Sequence, residues 1–325
     1  MMRLPQFRYL APGNVDEALG WKAEAGPEAM YLAGGTDLFP NMKRRHQTPG
    51  ILISLRHVPE LRGVRENGAV SIGAAEILSD VAAHARVRAD YPALAHAVDS
   101  ISTPILRNMG TIGGNALLDT RCTYYNQDLQ WRKSVDFCMK RDGTVCWVAP
   151  ASPRCWAVQS SDSVPVLVAI GAEVTLVSTG GERRIPIADL YRDDGIDYLT
   201  KRPDELLKEI HLPPADGWRA AYRKLRRRGA FDFPVLGVAA WARLSGAGVV
   251  EEARVVLGGV GSHPIQAESA REILLGNRLE PDLVRAAADA CARSARPLDN
   301  TDFTLSWRKE MVRVMVARTL GDLVP

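Results

Sequence analysis

No stretch of the 325 residues reaches the ~18 consecutive apolar residues of a membrane-spanning helix. Met1–Pro12 has no apolar signal-peptide core, so a soluble, cytoplasmic protein is expected. Charge of one sign is also scarce: 41 Lys and Arg stand against 38 Asp and Glu, a net +3. That bias is too small to indicate nucleic acid. The basic runs Lys43-Arg44-Arg45 and Arg226-Arg227-Arg228 are short and lack regularly spaced stacking aromatics. Gly-x-Gly-x-x-Gly, Walker A and nucleophile-elbow patterns are missing. The 6 histidines are scattered without paired metal spacing, and no carboxylate pair stands out, so no catalytic residue is assigned. Hydrophobic residues at 46% and charged residues at 24% exclude disorder, and the length suggests two domains.

Asn14 followed by Glu17 reads as a capping box opening a helix to about Ala25. Ala29–Leu32, Ile51–Leu55 and Ala69–Gly73 read as strands. Ser79 is expected to cap a helix to Ala85, and Tyr91–Ile101 reads as another. Val164–Ile170 is open between strand and helix because of Pro165, whereas Ala172–Val177 and Leu206–Leu212 are strands. Pro213-Pro214-Ala215-Asp216-Gly217 is the expected linker. After it, strands at Tyr222–Leu225, Val235–Arg243 and Ala253–Leu257 precede helices at Ile265–Leu275, Pro281–Ala295 and Thr304–Thr319, an α+β pattern. The expected domains are 1–215 and 216–325, with an irregular insertion at about 116–160.

Of the 5 cysteines, only Cys291 lies outside that insertion. Cys122, Cys138, Cys146 and Cys155 are spaced Cys-x15-Cys-x7-Cys-x8-Cys, without a Cys-x2-Cys knuckle. Arg121, Lys133, Lys140, Arg141 and Arg154 flank them and would offset thiolate charge. Structural zinc prefers tight knuckles, whereas an iron–sulfur cube tolerates wider spacing, and spacing alone leaves both open. Four unrelated buried thiols fit the basic flanks least well.

Two adjacent-glycine turns, Gly34-Gly35 and Gly113-Gly114, follow apolar segments and carry Thr36, Thr111 and Asn115 beside them. Such turns let backbone approach a ligand closely, and successive N–H groups can form an anion nest. Each alone is more often a plain tight turn.

Leu32-Ala33-Gly34-Gly35-Thr36-Asp37-Leu38 and Thr111-Ile112-Gly113-Gly114-Asn115 resemble the pyrophosphate loops of FAD-binding subunits in the xanthine oxidase and carbon monoxide dehydrogenase family. Ser161-Asp162, Tyr222-Arg223-Lys224-Leu225-Arg226-Arg227 and Pro234–Ala240 resemble further landmarks in the same order. The resemblance implies an α+β fold: a two-part FAD-binding domain of the PCMH type, then a C-terminal domain of the CO dehydrogenase flavoprotein type. The cysteine-bearing insertion, with Asp119-Thr120-Arg121-Cys122-Thr123-Tyr124-Tyr125-Asn126-Gln127, is similar to the β subunits of 4-hydroxybenzoyl-CoA reductases. In those subunits the inserted loop holds a 4Fe–4S cluster.

By this resemblance FAD is expected on Leu32, Ala33, Gly34, Gly35, Thr36, Asp37, Thr111, Gly113, Gly114 and Asn115. Asp162 would reach the ribose or adenine, Leu206 would pack near the isoalloxazine, and Lys224 would meet its polar edge. Cys122, Cys138, Cys146 and Cys155 would ligate the cube. A large partner would carry the molybdenum cofactor and substrate, and a small partner two 2Fe–2S clusters, in a dimer of heterotrimers. The implied reaction is reductive dehydroxylation of 4-hydroxybenzoyl-CoA in anaerobic aromatic degradation, fed by ferredoxin. The alternatives are the flavin subunit of another molybdenum hydroxylase, with electrons flowing out through FAD, and a zinc-stabilised binding module.

Overall fold

A computed structural model describes residues 2–324. Its first unit is a three-stranded parallel sheet in the order β1-β3-β2, formed by β1 (Arg8–Leu10), β2 (Ala29–Leu32) and β3 (Ile51–Ser54). Parallel strands need a crossover, and the helix Val15–Ala25 provides the one from β1 to β2, which flank β3 and both pair with it. Asn14 Oδ1 accepts from the Glu17 N–H at 2.8 Å, while Glu17 Oε2 takes the Gly13 N–H at 2.7 Å. Val15, Ala18, Leu19 and Lys22 form the buried face of this helix, at helical spacing.

The second unit is a five-stranded antiparallel sheet, ordered β4-β5-β8-β6-β7. Its strands are β4 (Val64–Asn67), β5 (Ala69–Gly73), β6 (Glu173–Ser178), β7 (Gly181–Pro186) and β8 (Leu206–Leu212). Helices Leu78–Ala83, Pro92–Asp99 and Ser163–Ile170 join Ile72, Val174, Leu176 and Ile210 of this sheet in one core. Ser79 is not a cap: Ile77 is the N-cap and no side chain bonds there. Pro165 sits in the first turn of its helix, where a missing N–H costs nothing, so the ambiguous 164–170 segment is helical. The second glycine turn is the start of a one-turn helix, Ile112–Ala116, capped by Thr111 Oγ1 accepting from the Gly114 N–H at 3.1 Å.

The C-terminal sheet runs β12-β11-β10-β9, from β9 (Trp218–Leu225), β10 (Leu236–Leu244), β11 (Val250–Gly258) and β12 (Ile265–Gln266). Side chains alternate along β10. Ala239 and Trp241 enter the core of the second unit, whereas Val238, Ala240 and Ala242 pack with helices Glu268–Leu274, Pro281–Ser294 and Leu305–Gly321.

The insertion is a loop zipped at its base. Arg121 N–H donates to Val158 O at 2.8 Å, and Val158 N–H returns to Arg121 O at 2.7 Å. Buried Arg308 fixes Asn300 through Oδ1 at 3.3 Å, and Asn300 holds the loop on both sides. Its Nδ2 donates to Trp156 O at 2.6 Å, and its carbonyl accepts from Thr123 N–H at 2.9 Å.

Candidate functional site

A cavity of about 400 Å³ opens where the first two units meet, within the range of small-molecule and cofactor pockets. Leu32, Ala33, Gly34, Gly35, Thr36 and Asp37 line it from one side, and Thr111, Gly113, Gly114 and Asn115 from the other. Gly34 brings the two walls together. A Cβ there would lie 1.9 Å from the Met109 carbonyl oxygen, so only glycine fits. Gly35 has φ +73°, the left-handed turn that aims the following backbone at the cavity.

Among the described residues, the N–H groups of Gly34, Gly35 and Thr36 have no protein partner. They form an anion-accepting nest. The second turn differs: Gly113 N–H donates to Ala74 O at 2.9 Å, and Gly114 N–H is taken by Thr111. Its contribution is Asn115, whose Oδ1 accepts from Ser161 at 2.6 Å and Ser163 at 2.7 Å, leaving Nδ2 for a ligand.

Two buried polar atoms on the cavity wall, Tyr31 Oη and Gln47 Oε1, have no partner in the protein. Such atoms are costly unless a ligand satisfies them. A dinucleotide cofactor with a pyrophosphate, sugars and hydrogen-bonding rings fits this set. Burial raises the Tyr31 phenol, so it remains a donor. Lys201, also on the wall, donates to Arg202 O and Glu205 O, and burial lowers its ammonium to about 8.

Leu206 lines the cavity as the first residue of β8 and belongs at once to the core beneath the first sheet. Asp162 and Lys224 are not among the lining residues. Asp162 accepts from Lys224 Nζ and from the Tyr222 hydroxyl, each at 2.8 Å, and Lys224 also donates to Ser100 O at 2.9 Å. Burial raises the Asp162 carboxyl and lowers the Lys224 ammonium. The pair ties the C-terminal sheet to the helix Ser163–Ile170.

The insertion borders the cavity directly. Asp119, on the wall, accepts from Lys140 Nζ at 2.8 Å, Tyr125 Oη at 2.8 Å and Gln47 Nε2 at 3.0 Å. Burial would raise this carboxyl, but these donors, Lys140 foremost, hold it below the usual range. Asp37 pairs with Arg121, whose guanidinium also covers the Phe233 ring at 3.7 Å. Tyr125 stacks on His46 at 4.1 Å, and burial lowers that imidazole to about 4, leaving it neutral.

Cys122, Cys138, Cys146 and Cys155 are all buried free thiols of the loop. Cys122, Cys138 and Cys155 share one cluster with Tyr125. Burial pushes Cys122 up to about 12 and Cys155 to about 11. As isolated thiols they would stay protonated and inert; metal binding would deprotonate them. Among the described residues, no three Cys, His, Asp or Glu side chains group as ligands of one ion. Positive charge lies near two of the thiols, from Lys140 near Cys155 and from fully buried Arg132 near Cys138. Tyr31, Gln47 and Lys201 escaped the sequence reading, since they sit on a strand, after a helix and in a loop without a shared pattern.

The model of the FAD binding domain in molybdopterin dehydrogenase matches residues 5–215, and that of the CO dehydrogenase flavoprotein C-terminal domain matches 220–323. The carbon monoxide dehydrogenase medium chain of Hydrogenophaga pseudoflava is 31% identical, over 98% of this chain and 96% of the relative. The aldehyde oxidoreductase FAD-binding subunit PaoB of Escherichia coli (strain K12) is 32% identical, over 94% and 95%. A solved carbon monoxide dehydrogenase from Hydrogenophaga pseudoflava, lacking the Mo-pyranopterin moiety of its cofactor, superposes with a TM-score of 0.81 at 30% identity, covering 99% of this chain and 98% of that one. With its cavity at the junction of the first two units, the chain belongs to the FAD-binding, medium-chain subunits of the xanthine oxidase and carbon monoxide dehydrogenase family.

Proposed function

We propose that this chain holds FAD and one 4Fe–4S cluster and is the electron-transfer subunit of a molybdenum enzyme. The observation that carries the reading is the zipped loop of four buried cysteines joined to the cavity wall through Asp119 and Asp37. When bound, the two groups would exchange electrons between a soluble redox partner and the molybdenum subunit. The residues of this chain hold and orient them. Gly34, Gly35 and Thr36 offer free N–H groups to the pyrophosphate, and Asn115 offers its amide. Tyr31 and Gln47 offer a donor and an acceptor to the rest of the cofactor. The four cysteines would supply thiolates, with basic side chains offsetting their charge. A large subunit with the molybdenum cofactor and a small subunit with two 2Fe–2S clusters complete the proposed assembly, a dimer of heterotrimers.

Two readings of the reaction share this subunit. The cysteine loop favours reductive dehydroxylation of 4-hydroxybenzoyl-CoA with electrons from ferredoxin. The relatives favour the opposite direction, oxidation of a substrate on the large subunit with electrons leaving through this chain. By name they are a carbon monoxide dehydrogenase and an aldehyde oxidoreductase, and they match nearly the whole chain, so they weigh more than one loop. The co-purified complex decides. If an aldehyde or carbon monoxide bleaches the oxidised flavin absorbance anaerobically, the oxidative reading holds. If 4-hydroxybenzoyl-CoA restores the absorbance of the dithionite-reduced complex, the reductive reading holds. If neither moves the absorbance, both substrate assignments are wrong.

A further inference from the structure

Arg132 is an anomaly within the cysteine loop. Its side chain is 0% exposed, and it lies in the short helix Leu129–Ser134. Nη2 donates to Arg44 O at 2.7 Å, but buried Nε and Nη1 have no partner. Among the described residues it forms no ion pair. The nearby carboxylate, Asp142, is held by Arg141 at 3.4 Å. The like charge of Arg141 also acts on it, and the other groups within its electrostatic reach are the Tyr125 phenol, the neutral ring of His46 and Cys138, with the Phe137 ring 5.8 Å away. A guanidinium remains charged at any working pH, and a buried charge without a counter-ion is strongly destabilising. Two free donors and a missing anion, beside Cys138, describe one half of an ion pair.

We propose that Arg132 is the counter-charge of the cysteine-held cluster, donating its Nε–H and Nη1–H to sulfur on the Cys138 side. The proposal rests on the cluster reading above. Four thiolates around a cube leave a net anion, and reduction adds a further negative charge. A buried cation donating to sulfur stabilises the reduced form most and so raises the potential. Arg132 is thus a positioning residue that sets how readily the centre accepts an electron.

The test compares wild type, Arg132→Met and Arg132→Lys as full-length chains purified anaerobically. Iron and acid-labile sulfide are counted, the cluster is titrated under paramagnetic-resonance detection, and melting is followed before and after iron chelation. At the wild-type midpoint, the reduced-to-oxidised ratio of iron-replete Arg132→Met should fall about tenfold, a shift of about 59 mV for one electron, and Arg132→Lys should restore part of it. In the chelated chain, where the cation has no counter-ion, Arg132→Met should melt higher than wild type. A merely structural arginine would make it melt lower with or without iron. An unmoved midpoint in iron-replete Arg132→Met overturns the proposal while leaving the cluster reading intact. If that variant does not retain iron, the chelated melts decide: a lower melting temperature than chelated wild type overturns it. Wild type without iron and sulfide removes the cluster reading and the proposal together.

Discussion

Replacing Lys140 by Met removes the main partner of a carboxylate that belongs both to the cavity wall and to the cysteine loop. The Lys140 and Asp119 side chains are 6% and 11% exposed. Lys140 also donates to Thr120 Oγ1 at 2.5 Å and Gly195 O at 2.6 Å and lies 4.7 Å from the Tyr125 ring. Breaking a buried pair by deleting one partner costs about 3–5 kcal/mol, because the other charge is stranded. Here Tyr125 and Gln47 still donate to Asp119, which places the expected loss at about 3 kcal/mol. The sign with pH follows from Asp119. Its folded carboxyl lies below its unfolded value, so in wild type its contribution is present at neutral pH and is lost only in acid, as pH falls through the folded value. In Lys140→Met, burial is less opposed and the carboxyl rises. Protonation then relieves the stranded charge, and the deficit should shrink from pH 8 to pH 5. Urea melts of wild type, Lys140→Met, Asp119→Asn and the double variant measure this directly, and the double should recover much of the loss. A Lys140→Met chain as stable as wild type, or a double variant no better than the single, would refute the reasoning.

Tyr31→Phe deletes a buried hydroxyl without a protein partner, so the flavin-free chain should melt as wild type does or slightly higher. Its FAD affinity should weaken by about fivefold in a fluorescence titration, the worth of one ordinary hydrogen bond of about 1 kcal/mol. Gly34→Ala should be far more damaging than Gly114→Ala in thermal melts, since its new methyl meets the Met109 backbone at 1.9 Å rather than the Thr111 hydroxyl at 2.9 Å. Lys224→Met should cost about 3 kcal/mol by stranding Asp162, yet leave FAD affinity in the remaining folded protein within about twofold, because the pair does not line the cavity. Direct flavin contact by Lys224 would instead appear as a large affinity loss.

Apolar patterning carried the buried elements: Ala29–Leu32, Ala69–Gly73 and Leu206–Leu212 lie where their side chains demand. What patterning misses are the edges. β7, Gly-Glu-Arg-Arg-Ile-Pro, and β4, Val-Arg-Glu-Asn, carry charges because edge strands face water, and such strings read as loop. The glycine walls were legible as motifs, but their physical reasons were not. Gly34 answers to the carbonyl of Met109, far along the chain, and the Gly113-Gly114 pair is the first turn of a capped helix. Asp162 and Lys224 could be placed in order along the sequence, yet only tertiary packing shows that they bond to each other. Asp119 was legible only as part of the loop motif and Arg132 not at all, since a sequence does not display burial.

What the four clustered cysteines hold is decided most directly by metal analysis of the anaerobically purified chain. Iron and acid-labile sulfide should each approach four per chain, with one FAD. Cys122→Ser, Cys138→Ser, Cys146→Ser and Cys155→Ser should each lower the iron, while Cys291→Ser, buried in the C-terminal core, should leave it unchanged. Stoichiometric zinc without labile sulfide, or iron indifferent to all four substitutions, would contradict it.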